Sequence, residues 1–287
     1  MLGDRDRAIL RFIWRWKVVS SAALARKFQP NGNAFTLYRR LLTLRNSGYI
    51  ESLWIGEARG AVWGLGAKGF KDIRPYLLYY ESNGFKSENY RHDHLVSAFH
   101  LGEWLVNQPE YTQTFTEQQL RRLPSEVWDD WVPKSTTHRP DGYSLYFEDD
   151  KAVVVAFEAE LSFKEPARYE RVVAFYDSEP TIKMVFWLVE SKAIFNSIRR
   201  AFEKCQVRDW PKHQFVLLND FRKLGWMAQF FEGKFRGRTV SEFLLHSPHT
   251  KPTQSMNYCD VIHLLDTRKR PIKTTASNKQ SSTLQPY

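Results

Sequence analysis

Cysteine is scarce in this sequence: Cys205 and Cys259 are the two among 287 residues. A cysteine-ligated zinc site and a disulfide framework each need more, so both are excluded, and the usage suits a reducing cytoplasm. Long apolar runs are also missing. No stretch approaches the ~18 residues that a membrane helix requires, so no membrane association is expected. The charges at Asp4, Arg5, Asp6 and Arg7 are followed by no apolar segment of the signal-peptide kind, so no secretion signal is expected. Acidic residues are sparse at one end. Residues 1–80 hold 5 of the 32 Asp and Glu but 14 of the 42 Lys and Arg, which is +9 of the net +10. Positive charge confined to the first quarter is the footprint of a segment that meets a polyanion. Apolar residues are plentiful at 43%. With 287 residues the chain can build two domains of roughly 100–150 residues each.

The first segment, residues 1–80, reads as three helices and a hairpin. Ala8, Ile9, Phe12, Ile13 and Trp16 fall at helical spacing within Asp4–Trp16. Ser20 or Ser21 can cap a second helix, Ala22–Phe28. Pro30, Asn31, Gly32 and Asn33 break the chain, and a third helix is expected from Ala34 to Ser47, closed by Gly48. Strands Tyr49–Ile55 and Ala61–Leu65 follow around a Glu57–Gly60 turn. That order predicts a winged helix-turn-helix with the third helix as reader. Thr36, Tyr38, Arg39, Arg40, Arg45 and Asn46 are its outward residues, and Arg59 at the wing tip is placed to touch phosphate or the minor groove. RRLLTLRNSGYI, with WGLGAKG downstream, resembles the winged-helix domains of bacterial regulators and plasmid proteins.

Residues 88–265 predict a second domain. Helix Tyr90–Val106 is followed by strands Tyr111–Gln118, Gly142–Phe147 and Ala152–Glu160, helix Glu165–Tyr176, strand Ile182–Val189, helix Lys192–Cys205 and strand His213–Leu218. The fold class is therefore α/β, with an α-β-β-β-α-β core behind an α+β N-terminal domain. The tail, residues 267–287, holds Arg268, Lys269, Arg270, Lys273 and Lys279 with no acidic residue, and is expected to be disordered.

Three carboxylates carry the chemistry. Asp141 lies in Arg139-Pro140-Asp141-Gly142 at the mouth of one strand, and Glu158 comes seventeen residues later on the next. Glu158 and Glu160 are two apart on a strand and so point to one side. A hairpin can bring all three together. Charge at the end of the apolar strand Val153–Phe157 is costly without a compensating cation. Hard oxygen ligands suit Mg²⁺ or Mn²⁺, which can activate water at a phosphodiester.

The pair RPDG…FEAELSFK resembles the signature of the PD-(D/E)XK nucleases, in which an acidic pair and a lysine form the site. The resemblance implies that Asp141 and Glu158 are metal ligands. Glu160 stands in the lysine slot, a departure, and is then base or third ligand unless Lys164 supplies the missing charge. Glu103 is the matching acidic residue on the first core helix. With YRHDHLVSAFHLGEWL, RPDG and FEAELSFKEPARYERVVAFY in order, residues 5–220 resemble the replication-relaxation family, within it the restriction-endonuclease-like mobilisation relaxases. That resemblance implies strand-specific nicking of double-stranded DNA at a plasmid transfer origin, with an accessory mobilisation protein and a conjugation coupling protein as partners. Two other classes stay open: a DNA-binding plasmid regulator with a non-catalytic nuclease-like domain, and a restriction-type enzyme cutting both strands.

Other residues read more plainly. His92 and His94, two apart, diverge on a helix, which favours a capping or DNA-facing role over a metal. Tyr169 and Tyr176 share a helical face, where core packing is the default and a covalent role the exception. Trp104, Trp187, Trp210 and Trp226 read as core.

Overall fold

A computed structural model describes residues 2–55, 60–77, 84–101, 113–135, 137–148 and 151–245. Arg59, Glu103, Trp104, Cys259 and the basic tail 267–287, all named above, lie outside these. The described residues group as one compact unit.

Helix α1 (Asp4–Trp16) buries Ile9, Leu10, Phe12, Ile13 and Trp16 on its apolar side. A short strand β1 (Val18–Ser20) follows, and the Ser20 hydroxyl accepts from Ala23 N at 3.1 Å to start α2 (Ser21–Phe28). Such a cap contributes about 1 kcal/mol. Asn33 caps α3 (Ala34–Asn46) by accepting from Phe35 N at 2.8 Å. Gly48, at φ 77°, turns the chain into β2 (Ile50–Leu53), which pairs with β3 (Val62–Leu65). The sheet has three strands, not the expected two, in the antiparallel order β1-β3-β2. β1 escaped sequence reading because three residues carry no period. Helix α4 (Ala67–Ile73) closes this part, and residues between Leu2 and Leu77 share one apolar cluster around Trp63.

The second sheet has five strands in the order β4 (Gln113–Thr116), β5 (Gly142–Glu148), β6 (Lys151–Glu160), β7 (Ile182–Val189), β8 (His213–Leu217). β4, β5 and β6 pair antiparallel; β6, β7 and β8 pair parallel. The helix α5 (Tyr90–Leu101) precedes it. The expected strand to Gln118 stops at Thr116, because Thr116 and Gln119 form a capping box that opens α6 (Glu117–Arg122). The parallel strands are joined by α7 (Pro166–Ser178) and α8 (Lys192–Cys205). α9 (Leu218–Leu224) and α10 (Val240–Leu245) follow β8.

β6 is buried on both faces, as a central strand must be when helices cover both sides. Val154 and Ala156 face Tyr169, Val173, Ile198 and Phe202 of α7 and α8. Val153, Val155 and Phe157 face Leu95 and Phe99 of α5 and Phe221 of α9. The molecule is thus a mixed α/β protein. Among the described residues, no helix is long and apolar enough to cross a membrane.

Candidate active site at the end of strand β6

β6 is the strand at which the sheet changes from antiparallel to parallel pairing. The carboxyl end of β6 therefore lies beside those of its parallel neighbours β7 and β8. Glu158 and Glu160 sit at that end, and both are buried, 5% and 7% exposed. Asp141 is drawn to the same place by the β5–β6 ladder. Its backbone N donates to Phe157 O at 3.0 Å, and its Oδ2 accepts from Ala159 N at 2.7 Å. The backbone amide it accepts from lies between the two glutamates.

Each carboxylate has a different environment. Asp141 Oδ2 is 3.4 Å from His92 Nε2 on α5, and His92 Nδ1 is 3.3 Å from Asp93 Oδ1. Glu158 Oε1 lies 2.5 Å from His138 Nε2 and also accepts the Tyr176 hydroxyl from α7. Glu160 Oε2 is buried with no hydrogen-bond partner.

The charge states follow. Burial pushes Asp141 up, but the His92 charge, the Ala159 amide and His138 outweigh it and hold the carboxyl below its usual range. Burial raises Glu158, the Asp141 charge adds to this, and His138 and Tyr176 oppose it. Burial, then the charges of Glu158 and Asp141, push Glu160 up to about 8. Burial acts against protonation of His92, yet Asp141 and Asp93 raise it to about 11. His138 is also raised: burial opposes and Glu158 prevails. The His92 ring is therefore charged beside Asp141, His138 is biased toward its charged form beside Glu158, and Glu160 keeps its proton at neutral pH.

A hard divalent cation suits this donor set in its chemistry: three carboxylates raise or balance one another, and one buried oxygen has no partner. The arrangement itself is not a closed metal cage. Among the described residues, no group of three or more His, Cys, Asp or Glu side chains is poised to hold a metal ion. Two of the oxygens, Asp141 Oδ2 and Glu158 Oε1, face imidazoles instead.

The sequence-predicted residues divide accordingly. Asp141, Glu158 and Glu160 come together. The Lys164 ammonium bonds Ser162 Oγ at 3.3 Å and acts on Glu160 only through its charge. Tyr176 is buried and bonded to Glu158, and Tyr169 is buried beside Ser162 and Lys164. His92 was expected to cap or to face DNA; its ring instead bridges Asp93 and Asp141. His138, Asp93 and Lys17 were not singled out. His138 carried one signal, its place two residues before Pro140.

Along α3, Thr36, Arg39, Arg45 and Asn46 are exposed, and Arg45 bonds Asn46 Oδ1 at 3.1 and 3.2 Å. Arg40 is engaged by Asp6, Nε to Oδ1 at 2.8 Å and Nη2 to Oδ2 at 2.5 Å. The Tyr38 ring is half-buried, 6.0 Å from that of Trp63. Phe35 at the start of α3 is 62% exposed, and Trp54 just after β2 is 91% exposed.

Comparison with family models, with curated proteins and with solved structures finds no match to this chain.

Proposed function

We propose that this chain is a DNA-binding, Mg²⁺- or Mn²⁺-dependent endonuclease of the PD-(D/E)XK kind, with a winged-helix reader in residues 1–80, and that it nicks one strand at a plasmid transfer origin. The observation that carries the reading is the buried trio Asp141, Glu158 and Glu160 at the end of β6. Three carboxylates crowded in a low-dielectric place destabilise one another, and such an arrangement is kept where charge has a task. The mobilisation-relaxase reading within it rests on the order of sequence motifs.

In this reading the residues of the chain divide the work. Asp141, Glu158 and Glu160 would hold the cation. When bound, the cation supplies Lewis acidity at the scissile phosphate. His92 would keep Asp141 anionic and oriented, and His138 would orient Glu158 and oppose the rise that burial imposes on it. Glu160, which keeps its proton at neutral pH in the metal-free protein, would lose it on taking up the cation, or would serve as the base beside the phosphate. Tyr176 is set by Glu158 and packed away from solvent, which suits it to holding that carboxylate rather than to attacking DNA. Arg39, Arg45 and Thr36 on α3, with the basic charge of residues 1–80, supply the hold on DNA.

One observation favours a second reading, a DNA-binding plasmid regulator that does not cut. Imidazoles already occupy Asp141 and Glu158, and no three ligands are poised for a metal. Incubating the protein with supercoiled plasmid carrying its own transfer region, in Mg²⁺, Mn²⁺ or EDTA, separates the classes. Nicked circles formed only with metal support the relaxase. Linear product supports a restriction-type enzyme. Intact plasmid under all three conditions supports the regulator.

A further inference from the structure

Lys17 lies at the junction of α1 and β1, far in sequence from the carboxylates, with a backbone φ of 59° and ψ of −48°. Residues with a Cβ avoid that region, and strain of this sort gathers at sites where position matters. The side chain is nearly buried. Its Nζ lies 2.9 Å from Glu117 Oε2 and 3.5 Å from Asp93 Oδ1. The same Asp93 oxygen faces His92 Nδ1 at 3.3 Å, and His92 Nε2 faces Asp141 Oδ2 at 3.4 Å. Lys17, Asp93, Glu117 and Asp141 line one small pocket. An unbroken line of charged groups thus runs from the end of α1 to the first carboxylate of the site.

The other end of α1 meets the reading helix. Asp6 holds Arg40 of α3, so one helix of 13 residues, ~20 Å long, touches α3 near its start and the Lys17 line at its end. Arg15 fixes that end: its guanidinium bonds Thr114 Oγ1 and Gln119 Oε1 at 2.9 Å each, and its carbonyl accepts from Thr116 Oγ1 at 3.0 Å.

We propose that Lys17 is a positioning residue for the carboxylate site: through Asp93 and His92 it orients Asp141, and through α1 it ties that orientation to the DNA-reading helix. Groups that orient a ligand from behind matter nearly as much as the ligand itself. The inference rests on the nuclease reading for its consequence, but not for its geometry.

The test compares Lys17→Met, Lys17→Arg and Lys204→Met. Lys17→Met should lower kcat for plasmid nicking roughly 10–100-fold, the range for such outer partners. Its KM for DNA should stay within about twofold, because the interaction lost is not one with DNA. Lys17→Arg should restore most of kcat. Lys204→Met, which removes an exposed lysine paired with Glu170 on α7, should leave kcat near wild type. In protein labelled with ¹⁵N-histidine, the His92 ring resonances, assigned with His92→Gln, should move in Lys17→Met and not in Lys204→Met. If Lys17→Met does not fold, Asp93→Asn takes its place with the same expectations. A folded Lys17→Met with wild-type kcat overturns the proposal, as does an equal loss in Lys204→Met. If the wild-type protein cuts nothing with any metal, the nuclease reading fails, and the resonances still decide: unmoved His92 signals overturn the positioning role, moved ones uphold it.

Discussion

Glu160 is where crowding of the carboxylates becomes measurable. Its proton is held to about pH 8 in the folded protein and leaves near pH 4.5 once unfolded. The folded state thus binds more protons between those values, and stability falls as pH rises from 4.5 to 8. Glu160→Gln removes this dependence. In EDTA, urea denaturation should show the variant matching wild type near pH 4.5 and exceeding it by on the order of 3 kcal/mol at pH 8 and above. A constant difference across that range would remove Glu160 from the buried cluster. At Gly142 the constraint is steric. A Cβ there would meet His100 Nε2 at 2.5 Å and Phe115 O at 3.2 Å. His100 is fully buried and packs its ring 4.1 Å from that of Phe157. Gly142→Ala should therefore cost about 1–3 kcal/mol through forced repacking, read as a lower Tm. Asp141, Glu158 and Glu160 were legible in the sequence because a two-residue period on a strand fixes which side chains share a face. His92, His138 and Lys17 were not. They reach the site from α5, from a loop and from the end of α1, and no local period encodes contacts between residues that distant.

Elements with strong signals matched their expected bounds closely. α1, α3, β7 and α8 carry a marked apolar pattern, α3 and α8 are capped by Asn33 and Ser191, and the ends of all four fall within a residue of those expected. β1 is too short to carry a pattern. The end of β4 was overrun because Thr114, Phe115 and Thr116 suit a strand, while the Thr116 capping box decides for a helix from Glu117. The same scale separates two neighbouring arginines that look alike in sequence. Arg39 is exposed on α3, so Arg39→Ala should weaken DNA binding and lower the log–log salt slope by about one. Arg40 is taken by Asp6, whose carboxyl that hydrogen bond holds below its usual range. Arg40→Ala should instead cost stability, about 1 kcal/mol or less because the guanidinium end is partly in solvent. Filter-binding salt titrations and melts on both variants check the division. Equal salt slopes for the two would mean that DNA displaces Asp6 from Arg40.

At the scale of the molecule, the basic first quarter and the carboxylate site belong to one compact unit, with α1 in contact with both α4 and α6. In the proposed reading, binding and cutting fall to different residues, so a change among the carboxylates should leave the hold on DNA intact. Asp141 is the group on which that separation turns. It is anionic, it bridges β5 and β6 through the Ala159 amide, and it ends the line from Lys17. The direct measurement is nicking of supercoiled plasmid carrying the transfer region, in Mg²⁺, by wild type and Asp141→Ala, with gel-shift affinity on the same preparations. The account expects wild type to make nicked circles, and Asp141→Ala to make them at least ~10³-fold more slowly with unchanged affinity. Nicking by Asp141→Ala at the wild-type rate would contradict it.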